Sequence, residues 1–189
     1  MTQSQLKAAA IAAADVPGLR ADTVHDSTGL MTQRLTASSG GPLCTEFLNA
    51  SNAYADSYHP SAEVTRAFTA NTTDGTMGIR VSLVGHASSA DAQQVINETR
   101  SSAKGCPHLT DGTQRMNLAP LPLPVMGDDS TVTRVGLISG RRSDCVTIGL
   151  VGVGTVSLTI TVTAYDGYHP NMLQEVAKAS VSKLQKAER

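Results

Sequence analysis

Residues 63–106 most constrain what this chain can become. They read without a break as strand, tight turn, strand, helix and cysteine. Met77, Ile79, Val81 and Leu83 alternate with Thr76, Gly78, Arg80 and Ser82. One face of that strand is therefore apolar and the other polar, as a half-buried strand requires. Val64, Phe68 and Ala70 suit a partner strand, and Asn71-Thr-Thr-Asp-Gly75 suits the hairpin connection between them. Ser88 and Asp91 supply an N-cap and an early acidic residue for a helix. Ala92, Val95, Ile96, Thr99 and Ala103 then fall on one helical face, and Gly105 stops the helix directly before Cys106.

The flanking segments extend this unit in both directions. Residues 4–14 predict a helix, which Asp15-Val-Pro-Gly18 stops. Short strands are expected at 23–26 and 32–37. Gly40-Gly41-Pro42 breaks the chain, and Cys44 begins a short helix running toward Tyr54 with Phe47 and Leu48 turned inward. After Cys106 the pattern is irregular, and the prolines of 119–124 predict a polyproline-like or edge stretch. A turn at Gly127-Asp128-Asp129-Ser130 leads into strands at 131–139 and 144–151. A third strand is the clearest in the chain: Val156, Leu158, Ile160 and Val162 alternate with Ser157, Thr159, Thr161 and Thr163. Pro170 opens a last helix with Leu173, Val176, Ala177, Ser180 and Leu184 as its buried stripe. Hairpin-linked strands with helices before, between and after them predict a single α+β domain over 1–189. It would hold one antiparallel sheet of about five to six strands, with helices mainly on one face.

Composition narrows function mostly by exclusion. The chain has 189 residues, 15 basic against 16 acidic side chains and a net charge of −1. The basic residues are scattered, which argues against nucleic acid or an anionic membrane as partner. No apolar run is long enough to span a bilayer, and the first residues carry no signal-peptide pattern. The chain therefore reads either as cytoplasmic or as the mature form of an exported protein. Aromatics make up 3% and Trp is absent, so the core must come from aliphatic side chains. No His-x-x-x-His or Cys-x-x-Cys spacing, Gly-x-Ser-x-Gly elbow or phosphate loop occurs. No metal site, cofactor or catalytic residue is expected. Asp128-Asp129 reads as a solvated acidic turn, and Cys145 as a small buried residue of a strand.

All four tyrosines fall in two similar stretches, Ala53-Tyr54-Ala-Asp56-Ser-Tyr58-His59-Pro60 and Ala164-Tyr165-Asp166-Gly-Tyr168-His169-Pro170. If the two loops meet, Tyr54, Tyr58, His59, Tyr165, Tyr168 and His169 would form an aromatic, hydrogen-bonding rim of the kind small-molecule sites use. Three cysteines leave two possibilities, three reduced thiols or one disulfide with one thiol over.

In this order of elements the chain resembles the extracellular sensor domains of PknH-type mycobacterial receptor kinases and the related actinobacterial lipoproteins. The resemblance rests on the opening helix ending in Asp15-Val-Pro-Gly18 and on Cys44 at a short helix. It continues with the strand pair, the Ala- and Ser-bearing helix, Cys106 just beyond it, and Gly127-Asp128 before three strands and a last helix. It implies a Cys44–Cys106 disulfide, a ligand cleft and an exported domain at the cell envelope, tethered to the membrane through an N-terminal lipid anchor. Kinase-linked members commonly carry a second disulfide, and here only Cys145 remains for it. The function expected is a non-enzymatic sensor or lipoprotein domain holding a small apolar or amphipathic molecule. An enzyme using Tyr, His and Asp as acid and base, or a surface protein-interaction domain, are the alternatives.

Overall fold

The structure is a computed structural model. It describes residues 1–28, 39–51, 58–73, 75–111, 113–139, 142–165 and 167–188. Four helices are seen, α1 (Gln3–Ala9), α2 (Pro42–Ser51), α3 (Ser89–Gly105) and α4 (Pro170–Ala187). The strands are β1 (Arg20–Ala21), β2 (Ser27–Thr28), β3 (Pro60–Thr72), β4 (Gly75–His86), β5 (His108–Asp111), β6 (Gln114–Pro120), β7 (Asp129–Ser139), β8 (Arg142–Val153) and β9 (Val156–Ala164).

All nine strands join one antiparallel sheet in the order β1-β3-β4-β9-β8-β7-β6-β5, with β2 also paired to β3. The α+β class is as the periodicity predicts, but the expected five to six strands fall short. The additional strands are those whose side chains carry no apolar rhythm. β1 and β2 are two residues each and exposed. β6 buries only Leu118, and it is held through backbone pairing to β5 and β7. The segment after Cys106 is thus regular where its sequence looks irregular, and of 119–124 only Ala119 and Pro120 belong to a strand.

Helices cover both faces, not mainly one. Val151 and Val153 of β8 pack in a cluster with Leu6 of α1 and with Leu173, Val176 and Leu184 of α4. Leu150, pointing the other way because strand side chains alternate, packs with Val95 and Ile96 of α3. The first face is the larger core. Met77, Ile79, Val81 and Leu83 meet Val156, Leu158, Ile160 and Val162 there, all buried. Gly149 lets α4 come close, since a Cβ on it would stand 3.0 Å from the Leu173 methyls. Each fully buried Leu or Val of this layer contributes roughly 1.5–3 kcal/mol.

On the second face α3 lies over β7 and β8, and α2 packs on α3. Ser88 caps α3 by accepting from the Asp91 amide, and Cys106 follows Gly105 at its end. Cys106 is bonded to Cys44 in the first turn of α2. Both sulfurs are buried with Phe47, Leu109, Leu118, Val135 and Val146.

Two local expectations change. The first helix stops at Ala9, because Asp15 accepts from the Ala12 amide at 2.6 Å and closes its own 3-10 turn over Ala13–Asp15. That carboxylate is also salt-bridged to Lys183 of α4 at 2.6 Å. Residues 23–26 form a 3-10 turn over Thr23–His25 in place of a strand. The expected strand at 32–37 and the end of the helix near Tyr54 lie outside the described residues.

The disulfide joins cysteines 62 positions apart, and closing such a loop stabilises by about 4 kcal/mol on the chain-entropy model. Denatured protein prepared without reductant should therefore show one reactive thiol of the three cysteines. A Cys44→Ala/Cys106→Ala variant should lose about 4 kcal/mol in denaturant unfolding. Three reactive thiols, or a loss below about 1 kcal/mol, would contradict this assignment.

Candidate functional site and structural relatives

Among the described residues, α2 and α3 cover the second face over β5–β8 and reach the Val84 and Ser157 end of β4 and β9. The other half of that face, made by β3, β4 and β9, is floored by polar side chains in register. Thr65 pairs with Ser82 and Ser82 with Thr159. Ala67, Arg80 and Thr161 form the next row, and Thr69, Gly78 and Thr163 the third. At the β9–β8 border the surface changes character, since Thr159, Thr161 and Thr163 stand beside Leu150, Ile148 and Val146. Those three apolar residues lie under α2 and α3.

The turn between β1 and β2 makes a wall on the outer edge of β3. The Asp22 amide donates to the Ala67 carbonyl at 2.9 Å, and the Asp26 carboxylate accepts from the Ala67 amide at 2.9 Å. Arg66 reaches Asp26 at 3.4 Å, and the His25 ring meets Asp22 at 2.8 Å. Wall and floor enclose a cleft of about 780 Å³ lined by Asp22, Val24, His25, Asp26, Glu63, Thr65, Arg80, Ser82, Thr159, Thr161 and Thr163. Val24 stands 87% exposed at its lip. A smaller hollow of about 380 Å³ lies between Pro124–Gly127 and α4.

The tyrosine–histidine stretches do not build one rim. Tyr58 is buried on the α3 side, where its hydroxyl donates to the Glu98 carboxylate. Burial, and after it the charge and hydrogen bond of Glu98, push its phenol far above the usual tyrosine range. His59 is exposed beside Asp91 at 3.1 Å. Hydrogen bonding from Ser88, and after it His59, holds the Asp91 carboxyl below the usual carboxylate range.

Tyr168 lies on the opposite face. Its ring has the Arg134 guanidinium 5.8 Å from the centroid, and its hydroxyl would stand 3.4 Å from a Cβ on Gly136. Tyr165 is 59% exposed just past β9, and His169 precedes the first turn of α4. Tyr58 is fixed near Ser157 and Tyr165 follows Ala164, so the two stretches mark opposite ends of β9, roughly 27 Å apart along the strand. Tyr54 lies outside the described residues. None of the described tyrosines and histidines of these stretches lines the cleft.

Cys145 is half-buried and not a core residue, because it pairs with Gly136 on the face that Tyr168 covers. Burial, and after it the Cys145 charge, raise the Tyr168 phenol, and Arg134 pulls the other way.

The signal for the cleft was present in the chain as Ser157, Thr159, Thr161 and Thr163. Four hydroxyls in alternation on a strand at the middle of a sheet mean that one face of that sheet is not packed by apolar side chains. Asp22 and His25 carried no such signal, because a 3-10 turn at a sheet edge leaves no period.

One end of β9 is pinned by His86, which is buried. Its Nδ1 lies 2.7 Å from the Tyr58 carbonyl, so Nδ1 carries the proton and donates. Nε2 then accepts from the Ser157 hydroxyl at 2.8 Å. Burial favours this neutral form by lowering the His86 pKa below the usual histidine range, with the Tyr58 hydrogen bond opposing. Asp128 and Asp129 are not a free acidic pair either. Asp128 accepts from the Gly154 amide at 2.7 Å. Asp129 accepts from Arg100 at 2.7 Å and Gln93 at 2.6 Å, which outweigh its burial and keep its carboxyl below the usual range. Among the described residues no group of His, Cys, Asp and Glu could hold a metal ion.

Comparison with solved structures places this architecture. The extracellular domain of PknH from Mycobacterium tuberculosis superposes with a TM-score of 0.73 at 13% identity, over 98% of this chain and 97% of that one. The chain has the fold of the PknH extracellular domain. A second solved structure, an uncharacterised protein from Mycobacterium smegmatis that is a Rv0999 ortholog, superposes with a TM-score of 0.53 at 10% identity. That match covers 96% of this chain and 94% of that one. No family model matches the chain, and no curated protein is similar to it in sequence. The likeness is therefore one of fold, carried by backbone geometry and not by shared side chains.

The His86 network sets an acid dependence. A histidine whose folded pKa lies below the unfolded value of about 6.5 stabilises fully above that value, and the contribution is lost as pH falls toward the folded pKa. Stability of the wild-type protein should therefore fall by up to about 1.4 kcal/mol per pH unit below pH ~6.5. His86→Gln should be less stable at pH 7 and show a flatter profile. Parallel profiles in urea titrations from pH 7 to pH 5 would contradict the neutral, buried assignment.

Proposed function

We propose that the chain is an extracellular, non-enzymatic sensor domain that takes a small-molecule ligand in the cleft over β3, β4 and β9. The observation that carries this reading is the cleft itself: a concave space of about 780 Å³ on the exposed half of an otherwise covered sheet. Sites of that size hold small molecules. The fold of a kinase's extracellular domain agrees with it. So does a disulfide, which persists outside the reducing cytosol. Among the described residues no helix is long and apolar enough to cross a membrane. Attachment to the envelope would then come from a lipid group or segment joined to the N-terminal side of α1.

The floor changes the ligand expected. An apolar or amphipathic molecule would desolvate Thr161, Thr163 and Arg80 without giving them partners, at a cost for each group. A polar ligand fits better. Binding is also favoured over catalysis. The His25–Asp22 pair lines the cleft, but no hydroxyl or thiol nucleophile is hydrogen-bonded to His25 among the described residues.

Gly78 offers a direct test, because a Cβ there would meet nothing within 4 Å. Gly78→Trp should fill the cleft and leave the unfolding temperature within a few degrees of wild type. Sugar phosphates, nucleotides and fatty acids, followed by amide chemical shifts, form the probe set. At least one class should perturb Gly78, Thr161 and Thr163 saturably in wild type and not in Gly78→Trp. No saturable perturbation at these positions by any class would contradict the reading.

A further inference from the structure

The cleft contains one cation, Arg80, that has no ion-pair partner among the described residues. Arg80 is exposed at the centre of the floor, between Ala67 and Thr161, and it makes no hydrogen bond or ion pair with any described residue. The acidic residues of the same cleft are each engaged. Asp22 is bonded to His25 at 2.8 Å, Asp26 to Arg66 at 3.4 Å and to the Ala67 amide, and Glu63 accepts from the Thr65 hydroxyl at 3.4 Å.

Around Arg80 the polar groups of the floor are hydroxyls. Ser82 lies two residues along the same strand, and Thr161 stands opposite on β9 with Thr159 and Thr163 on either side. Thr161 and Thr163 are half-exposed and have no hydrogen-bond partner among the described residues. The sheet spaces these groups at about 4.8 Å across strands and ~6.8 Å along them. That is the scale on which the hydroxyls of a sugar ring or cyclitol are spread. A hydroxyl both donates and accepts, and the wall carboxylates of Asp22 and Glu63 can accept, so the surface is suited to a ligand with several hydroxyls. A guanidinium with no internal partner is suited to an oxyanion, which it can hold with two parallel hydrogen bonds.

Resting on the ligand-binding reading above, we infer that the cleft selects a polyhydroxylated ligand bearing one anionic group. Arg80 takes a phosphate or carboxylate, and Thr161, Thr163 and Ser82 take neighbouring hydroxyls. Two sources supply that chemistry: a free sugar or cyclitol phosphate, and the inositol phosphate headgroup of a lipid in the envelope. A ligand with a second anionic group is disfavoured, because Asp22, Asp26 and Glu63 line the same space and would repel it.

The test is calorimetric titration of the full chain with myo-inositol 1-phosphate, glucose 1-phosphate, uncharged myo-inositol and a fatty acid. Vesicles of phosphatidylcholine with and without phosphatidylinositol form a second arm. At least one phosphorylated polyol should bind, and uncharged myo-inositol should bind at least about tenfold more weakly. Arg80→Gln, on an exposed side chain without internal partners, should keep the wild-type unfolding curve and weaken phosphate-bearing ligands by about tenfold or more. Thr161→Val/Thr163→Val should weaken glucose 1-phosphate more than inorganic phosphate, which has no ring hydroxyls to lose.

Binding of the phosphatidylinositol vesicles alone assigns the lipid headgroup, and binding of the free polyol phosphates assigns the soluble source. Equal affinity of wild type and Arg80→Gln, or of charged and uncharged inositol, overturns the inference. Saturable binding of the fatty acid in the cleft, with no polyol phosphate bound, overturns it while leaving the sensor reading standing. Absence of binding by every probe overturns both.

Discussion

The structure depends on a single antiparallel sheet in which β9 is apolar on one face and hydroxyl-bearing on the other. In β9, Val156, Leu158, Ile160 and Val162 pack inward against α4 while Ser157, Thr159, Thr161 and Thr163 point to the other face. Strand geometry fixes this division, since a shift of one residue would bury the hydroxyls and expose the aliphatic row. Apolar burial on the first face therefore holds the sheet together and at the same time obliges the opposite face of β3, β4 and β9 to be polar. Most aliphatic side chains of that second face come from β5–β8, with Val84 of β4 beside them, and α2 and α3 lie there.

The disulfide belongs to the same division of labour. The α2–α3 pair rests on a small cluster of Phe47, Ala103, Leu109, Leu118, Val135 and Val146, far fewer apolar groups than the layer under α1 and α4 supplies. Bonding Cys44 to Cys106 ties the start of α2 to the end of α3. Along α3, Gln93 and Arg100 grip Asp129 at the start of β7, and Glu98 takes the Tyr58 hydroxyl. Held at these points, the two helices cover one half of the face and leave the other half open.

Much of this could be read from the chain. The hairpin of β3 and β4, helix α3 with its serine cap, the last three strands and α4 all follow from apolar period and terminal residues. The Cys44–Cys106 bond came from the family resemblance and not from spacing. The missed strands share one cause. β1, β2, β5 and β6 are recruited by backbone hydrogen bonds to neighbours already in place, and side-chain pattern says little about such pairing. The expectation of a single tyrosine–histidine rim had a different origin. Repetition of Tyr, Asp and His-Pro around positions 58 and 168 drew attention to two segments that the topology sends to opposite ends of β9. The floor was visible instead as the polar half of an alternation, in Arg80, Ser82, Thr159, Thr161 and Thr163, and acquires meaning only once the covered and open halves are known.

The boundary between those halves can be measured directly. Val146 and Thr163 are cross-strand partners on the same face, one beneath the helices and one in the cleft. In a Cys145→Ala background, cysteine placed at either position should label very differently with a small thiol reagent in the native state. Thr163→Cys should react within about a hundredfold of the unfolded rate and Val146→Cys only on the timescale of local opening. Equal protection at both positions would mean that the hydroxyl-floored half is covered as well, and the account of an open ligand cleft would be wrong.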